Sequence, residues 1–152
     1  SPAQIEASAY MNYFCEPQAA QELCANEYQT LFAFFEKGAK PHWLTPEVKA
    51  QYKAAWSCGL QGGLNFYVAS PLKPNKPGEH LLQNITLPDE MLRISVPTLL
   101  VWGTQDVALL PNLNVGLDAY ISNLKYVPIA QGSHWVVHEH PELVQREITA
   151  FL

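Results

Sequence analysis

Charge is sparse in this 152-residue sequence. Asp, Glu, Lys and Arg make up 15% of it, and nine basic residues face fourteen acidic ones, for a net charge of −5. The basic residues are scattered, whereas phosphate binding draws on clustered Lys and Arg, so a nucleic-acid partner is not expected. No polybasic patch suggests a membrane surface either. Long apolar runs are also missing: Val96–Trp102 and Val107–Pro111 fall far short of the ~20 residues a bilayer crossing needs. Cysteine is rare. Cys15, Cys24 and Cys58 are odd in number and lack CxxC spacing, which argues against a disulfide framework and a zinc site. Reduced, partly buried thiols in a cytoplasmic compartment are the expectation. The remainder is ordinary globular material, 48% hydrophobic, too apolar for disorder. A domain of this size buries roughly 68–70% of its unfolded surface.

The pattern changes character near residue 70. Before it, spacing is helical. Residues 3–14 place Ile5, Ala9 and Tyr13 four apart, with Tyr10 and Phe14 beside them. Residues 26–37 carry Tyr28, Leu31, Phe32, Phe34 and Phe35 between a capping Asn26 and a terminating Gly38. Thr45-Pro46-Glu47 supplies a capping hydroxyl, a first-turn proline and an acid at the positive end of the dipole; Val48, Tyr52, Ala55 and Trp56 continue that helix to Gly59. A short helix over about 62–69 sets Leu64, Tyr67 and Val68 on one face. Residues 70–80, rich in proline, read as a connector, and 81–95 as irregular with a turn at Pro88.

From Val96 the reading is α/β. Val96–Trp102 is a continuously apolar run of the kind found in a strand buried on both faces. Helical spacing returns over 112–122 through Leu113, Leu117, Tyr120 and Ile121. Lys125–Ala130 reads as a second strand. Pro141–Leu152 reads as a helix burying Leu143, Val144, Ile148 and Phe151. These are two β-α units of a parallel sheet. Two parallel strands make a poor sheet by themselves, so 96–152 reads as the closing end of a larger one, with further strands expected ahead of Ser1.

Reactive groups in parallel α/β sheets collect beyond the carboxyl ends of the strands. Two polar residues lie there: Asp106, in Gly103-Thr104-Gln105-Asp106, and His134, in Gln131-Gly132-Ser133-His134-Trp135. Neighbouring strands would bring their loops together. A carboxylate bonded to one imidazole nitrogen fixes the tautomer and steadies the imidazolium formed in base catalysis. A turn-forming Asp106 and an ordinary loop His134 are the plainer readings of each residue taken singly. A metal site of His134, His138 and His140 with Glu139 is a rival, weakened by loop signals on both sides and by the lack of HExxH.

Gly103-Thr104-Gln105-Asp106, followed by Gly132-Ser133-His134-Trp135-Val136-Val137-His138-Glu139-His140-Pro141, closely resembles the C-terminal half of the α/β-hydrolase family, and within it the epoxide hydrolases. Ala9-Tyr10-Met11-Asn12-Tyr13-Phe14 and Gly62-Gly63-Leu64-Asn65-Phe66-Tyr67 resemble the two stretches of the helical cap that carry ring-opening tyrosines. The resemblance covers essentially the whole chain. It implies a cap over 1–70, a return to the core over 71–95 and the C-terminal part of the core over 96–152.

The same resemblance implies roles. Tyr10 and Tyr67 would hydrogen-bond the epoxide oxygen, with Tyr13 competing for the part of Tyr10. His134 would activate water to hydrolyse an ester intermediate, and Asp106 would orient it. The partners would be a small apolar epoxide and water, with no cofactor and no metal. Three departures stand out. No Gly-x-Asp-x-Gly or Gly-x-Ser-x-Gly occurs, the oxyanion loop is not found, and Val68 stands where relatives often carry a basic residue. The nucleophile is therefore expected upstream of Ser1, and these 152 residues alone are expected to be inactive. A haloalkane or haloacid dehalogenase, or an esterase, of the same fold is the alternative enzyme. A non-catalytic half-domain that pairs through an open strand edge is the alternative from another class.

Overall fold

In the computed structural model, which describes residues 1–37, 42–76, 78–79 and 85–152, the chain divides into two compact units, Ser1–Asn84 and Ile85–Leu152.

The first unit is helical. Where one helix is expected over 3–14 there are two, α1 (Pro2–Ala7) and α2 (Tyr10–Phe14). They part at Ser8, a buried residue whose hydroxyl accepts a 2.8 Å bond from the Gln4 side-chain amide. Ile5, expected on the apolar face, is exposed. The next helix, α3 (Ala19–Phe35), begins earlier than its apolar face suggests. Asn26 is not a cap: Asn26, Glu27 and Tyr28 take left-handed φ values of 49°, 55° and 65° in a kink inside the element. Such conformations cost roughly 1–2 kcal/mol per residue. An ion pair from Lys53 to Glu27 (2.6 Å) and the Tyr28 ring against Trp56 (5.3 Å) hold the kink in place. The expected stop at Gly38 lies outside the described residues.

Thr45 and Pro46 open α4 (Pro46–Trp56) as expected, with Thr45 Oγ1 accepting the Val48 N–H, and Gly59 follows at φ 108°. In α5 (Gln61–Ala69) Leu64 is buried and Tyr67 half-buried, but Val68 is exposed, so the apolar face is narrower than the sequence implies. The core gathers Phe14, Ala19, Leu23 and Leu64, ringed by Tyr10, Tyr13, Leu31, Phe34 and Tyr67. Leu23 is wholly buried, worth about 1.5–3 kcal/mol. The proline-rich stretch is tied back to this unit. The Asn12 amide donates to the Pro74 carbonyl at 3.0 Å, and Lys76 pairs with Glu16 at 3.2 Å. Of the thiols, Cys15 is half-buried but Cys24 and Cys58 are exposed, against expectation.

The second unit opens with a single helical turn, α6 (Asp89–Leu92), after Pro88. Strands β1 (Thr98–Gly103) and β2 (Leu124–Ile129) then pair in parallel, from Thr98 opposite Leu124 to Gly103 opposite Ile129. A parallel bridge between Ile94 and Ile121 extends the pairing. Residues 98–102 are half-buried rather than buried on both faces, and Val96 is exposed. The helix expected over 112–122 is replaced by 3-10 turns at Pro111–Asn114 and Leu117–Ala119. Gly116 separates them at φ 84°, a left-handed break that apolar spacing read straight across. After β2 come α7 (Val136–Glu139) and α8 (Pro141–Phe151). The last packs on β1 and is pinned to β2 by a 3.1 Å ion pair between Lys125 and Glu147; Ile148, expected inside, is exposed. No helix among the described residues is long and apolar enough to cross a membrane.

Candidate functional site

Parallel pairing puts the carboxyl ends of β1 and β2 side by side, and the loops that leave them are stitched together. The Thr104 N–H donates to Ile129 O (3.0 Å), the Gln105 N–H to Gly132 O (2.9 Å) and the Thr104 hydroxyl to Ala130 O (3.0 Å). Two glycines permit this approach. A Cβ on Gly103 would collide with the carbonyl oxygens of Ser133 and Gly132, and one on Gly132 would stand 3.1 Å from the Gly103 Cα.

Asp106 follows on the first loop and is 6% exposed. Its two oxygens divide the work. Oδ1 accepts the backbone N–H groups of Ala108 and Leu109, each at 2.8 Å, while Oδ2 lies 2.9 Å from Nδ1 of His134. Burial pushes the carboxyl up, but the bonds from His134, Leu109 and Ala108 and the attraction of the imidazole outweigh it, holding it below the usual aspartate range. An ionised carboxylate only accepts, so Nδ1 carries the proton of this bond. In the neutral ring Nε2 then holds the lone pair, and it is the nitrogen left for taking a proton from water or substrate. His134 is about one-third exposed and packs edge-on against Trp135 at 5.1 Å.

Tyr10 and Tyr67 also come together, within the first unit. Their rings stand 6.0 Å apart, edge to face, and both touch Phe14. Burial raises the Tyr67 phenol above its ordinary value, so it stays protonated and able to donate at neutral pH. Tyr13 is otherwise engaged: its hydroxyl donates to Glu22 at 2.9 Å. Each pair thus sits within its own unit, Tyr10 with Tyr67 and Asp106 with His134.

One feature escaped the sequence. Both oxygens of Glu139, which the sequence offered only to a metal, close on Ser133 at 2.7 Å. The spacing from Ser133 to Glu139 matches no capping box, so no motif flags it. No group of three or more His, Cys, Asp or Glu able to hold a metal occurs among the described residues.

No protein-family model matches the chain. It is 28% identical over 99% of its length to "AB hydrolase superfamily protein YfhM" of Bacillus subtilis, and covers 50% of that protein. It is 26% identical to mouse "Epoxide hydrolase 4", covering 41% of it. Among solved structures it superposes on one from the "Novel epoxide hydrolases belonging to the alpha/beta hydrolases superfamily in metagenomes from hot environments", with a TM-score of 0.80 and 28% identity over 99% of this chain and 51% of that one. Over the half that it spans, the chain has the fold of the α/β-hydrolases. Its likeness runs to epoxide hydrolases, and it spans about half the length of the curated relatives it matches. A helical part followed by a small parallel sheet is the portion of the α/β-hydrolase fold that these residues build.

Proposed function

We propose that the whole protein adds water to a small apolar epoxide through an ester intermediate, with the nucleophile supplied from outside these 152 residues. The observation that carries this reading is the 2.9 Å contact between His134 Nδ1 and Asp106 Oδ2, on loops leaving adjacent parallel strands. Asp106 holds the imidazole so that Nε2 takes the proton of the attacking water as the ester is cleaved. Tyr10 and Tyr67 donate to the alkoxide that develops as the ring opens. A phenol suits that task, being protonated at pH 7 yet a good donor to an oxyanion. The helical unit serves as the cap. Epoxide and water are the reactants, and this chemistry requires no cofactor.

Ring opening demands a donor to oxygen, whereas carbon–halogen cleavage demands N–H donors to a halide and ester cleavage an oxyanion hole. The paired phenols favour the first. The test offers the intact protein an aryl glycidyl ether, a haloalkane and a phenyl ester of similar size. Vicinal diol release from the first alone is expected. Halide or phenol release without diol would overturn the assignment.

A further inference from the structure

Glu139 does more than close a helical turn. Its Oε2 accepts the Ser133 backbone N–H and its Oε1 accepts the Ser133 hydroxyl, both at 2.7 Å. A carboxylate has no proton to give, so the hydroxyl donates and its lone pairs stay free for the Trp135 N–H, which reaches it at 3.1 Å. Ser133, immediately before His134, is therefore fixed directly by the Glu139 side chain, and Trp135, immediately after it, is held in turn by the Ser133 hydroxyl. The wider loop is braced on both flanks. Upstream, the Gly132 carbonyl accepts from Gln105 at 2.9 Å. Downstream, the Trp135 carbonyl accepts from His138 and Glu139 at 2.8 and 3.1 Å.

From this we infer that Glu139 is a positioning residue: it clamps the backbone around His134 so that the imidazole meets Asp106 with its remaining nitrogen aimed for proton transfer. The inference rests on His134 being the base proposed above. Without the carboxylate, a half-buried N–H and hydroxyl lose their partner and the loop relaxes. Imidazole misplacement by an ångström is then felt in the water-activation step and not in ring opening, which needs no base.

The test uses the intact protein with Glu139→Ala, Glu139→Gln and Ser133→Ala. Slowing ester hydrolysis lowers kcat and KM together. Glu139→Ala should therefore cut kcat on the order of 10- to 100-fold while kcat/KM stays within about twofold. Glu139→Gln keeps an oxygen for the Ser133 N–H and should recover most of the loss. Ser133→Ala removes the hydroxyl alone and should fall between; it carries the test if Glu139→Ala does not fold. In parallel, the His134 Nδ1–H proton resonance should shift or broaden in Glu139→Ala. Wild-type kcat in Glu139→Ala, or an unmoved resonance, overturns the clamp, as does a joint fall in kcat/KM and thermal stability that Gln does not rescue. If the wild-type protein opens no epoxide, the proposed function fails, and the resonance alone then decides the clamp.

Discussion

Gly103 and Gly132 meet back to back, each occupying the space a Cβ of the other would need, and this contact lets the carboxylate loop and the histidine loop run side by side. Gly103→Ala drives a methyl into two backbone carbonyls that cannot step aside. Overpacking of this kind typically costs about 1–3 kcal/mol, and a backbone obstacle puts this case at the upper end. Gly132→Ala meets the Val136 side chain at 2.8 Å and the Gly103 Cα at 3.1 Å, looser contacts than the 2.3 and 2.4 Å at Gly103, so it should cost less. Urea unfolding of the intact protein checks the order. A Gly103→Ala midpoint equal to wild type would show the loops are not held this closely.

Asp106→Asn preserves shape but reverses one role. The Asn oxygen can still accept from Ala108 and Leu109, which turns its NH2 group towards Nδ1 of His134. Nδ1 must then lose its proton, and Nε2 gains the one it ought to be taking. We expect kcat to fall by roughly 10²- to 10⁴-fold with little change in stability at neutral pH, the upper figure being the loss seen for the same replacement in a serine protease triad. Steady-state kinetics on diol release decide it; a loss under threefold would contradict the tautomer argument.

Acid should weaken the protein through the same carboxyl. Its folded pKa lies below the unfolded value of about 3.9, so the unfolded chain binds the proton more readily. The stabilisation is complete above the unfolded value and is lost as pH falls through the lower folded one. Urea midpoints measured from pH 6 to pH 3 should therefore drop more steeply for wild type than for Asp106→Asn. Parallel curves would mean that Asp106 is not held in its ionised form.

Tyr67 and Tyr13 separate a donor from a bystander. Loss of one donor to a developing oxyanion typically costs about 10²- to 10³-fold, and a second phenol nearby softens the blow, so Tyr67→Phe should lower epoxide turnover about 10²-fold. Tyr13→Phe gives up only its bond to Glu22 and should leave turnover near wild type. Equal losses in the two variants would remove Tyr67 from the site.

Legibility followed the length scale of the cause. The two strands, the Thr45 cap and the meeting of Asp106 with His134 were readable because each depends on residues adjacent in sequence or on strand order. The kink at Asn26–Tyr28 was not, because it is held by Lys53 and Trp56 on another helix. Residues 112–122 misled because apolar spacing is blind to the left-handed Gly116. Within the site, the Ala108 and Leu109 amides that grip Asp106 are backbone groups with no sequence signature, and the Ser133–Glu139 clamp spans an interval no motif describes.

The claim on which the rest depends is that His134, held by Asp106, activates water against a covalent ester. Its most direct test is the mass of the intact His134→Gln protein after mixing with an aryl glycidyl ether. Alkylation needs no imidazole, so the variant should accumulate one adduct equal in mass to the substrate, while wild type releases diol and returns to its original mass. A His134→Gln protein that forms diol at the wild-type rate and never gains that mass would contradict the account.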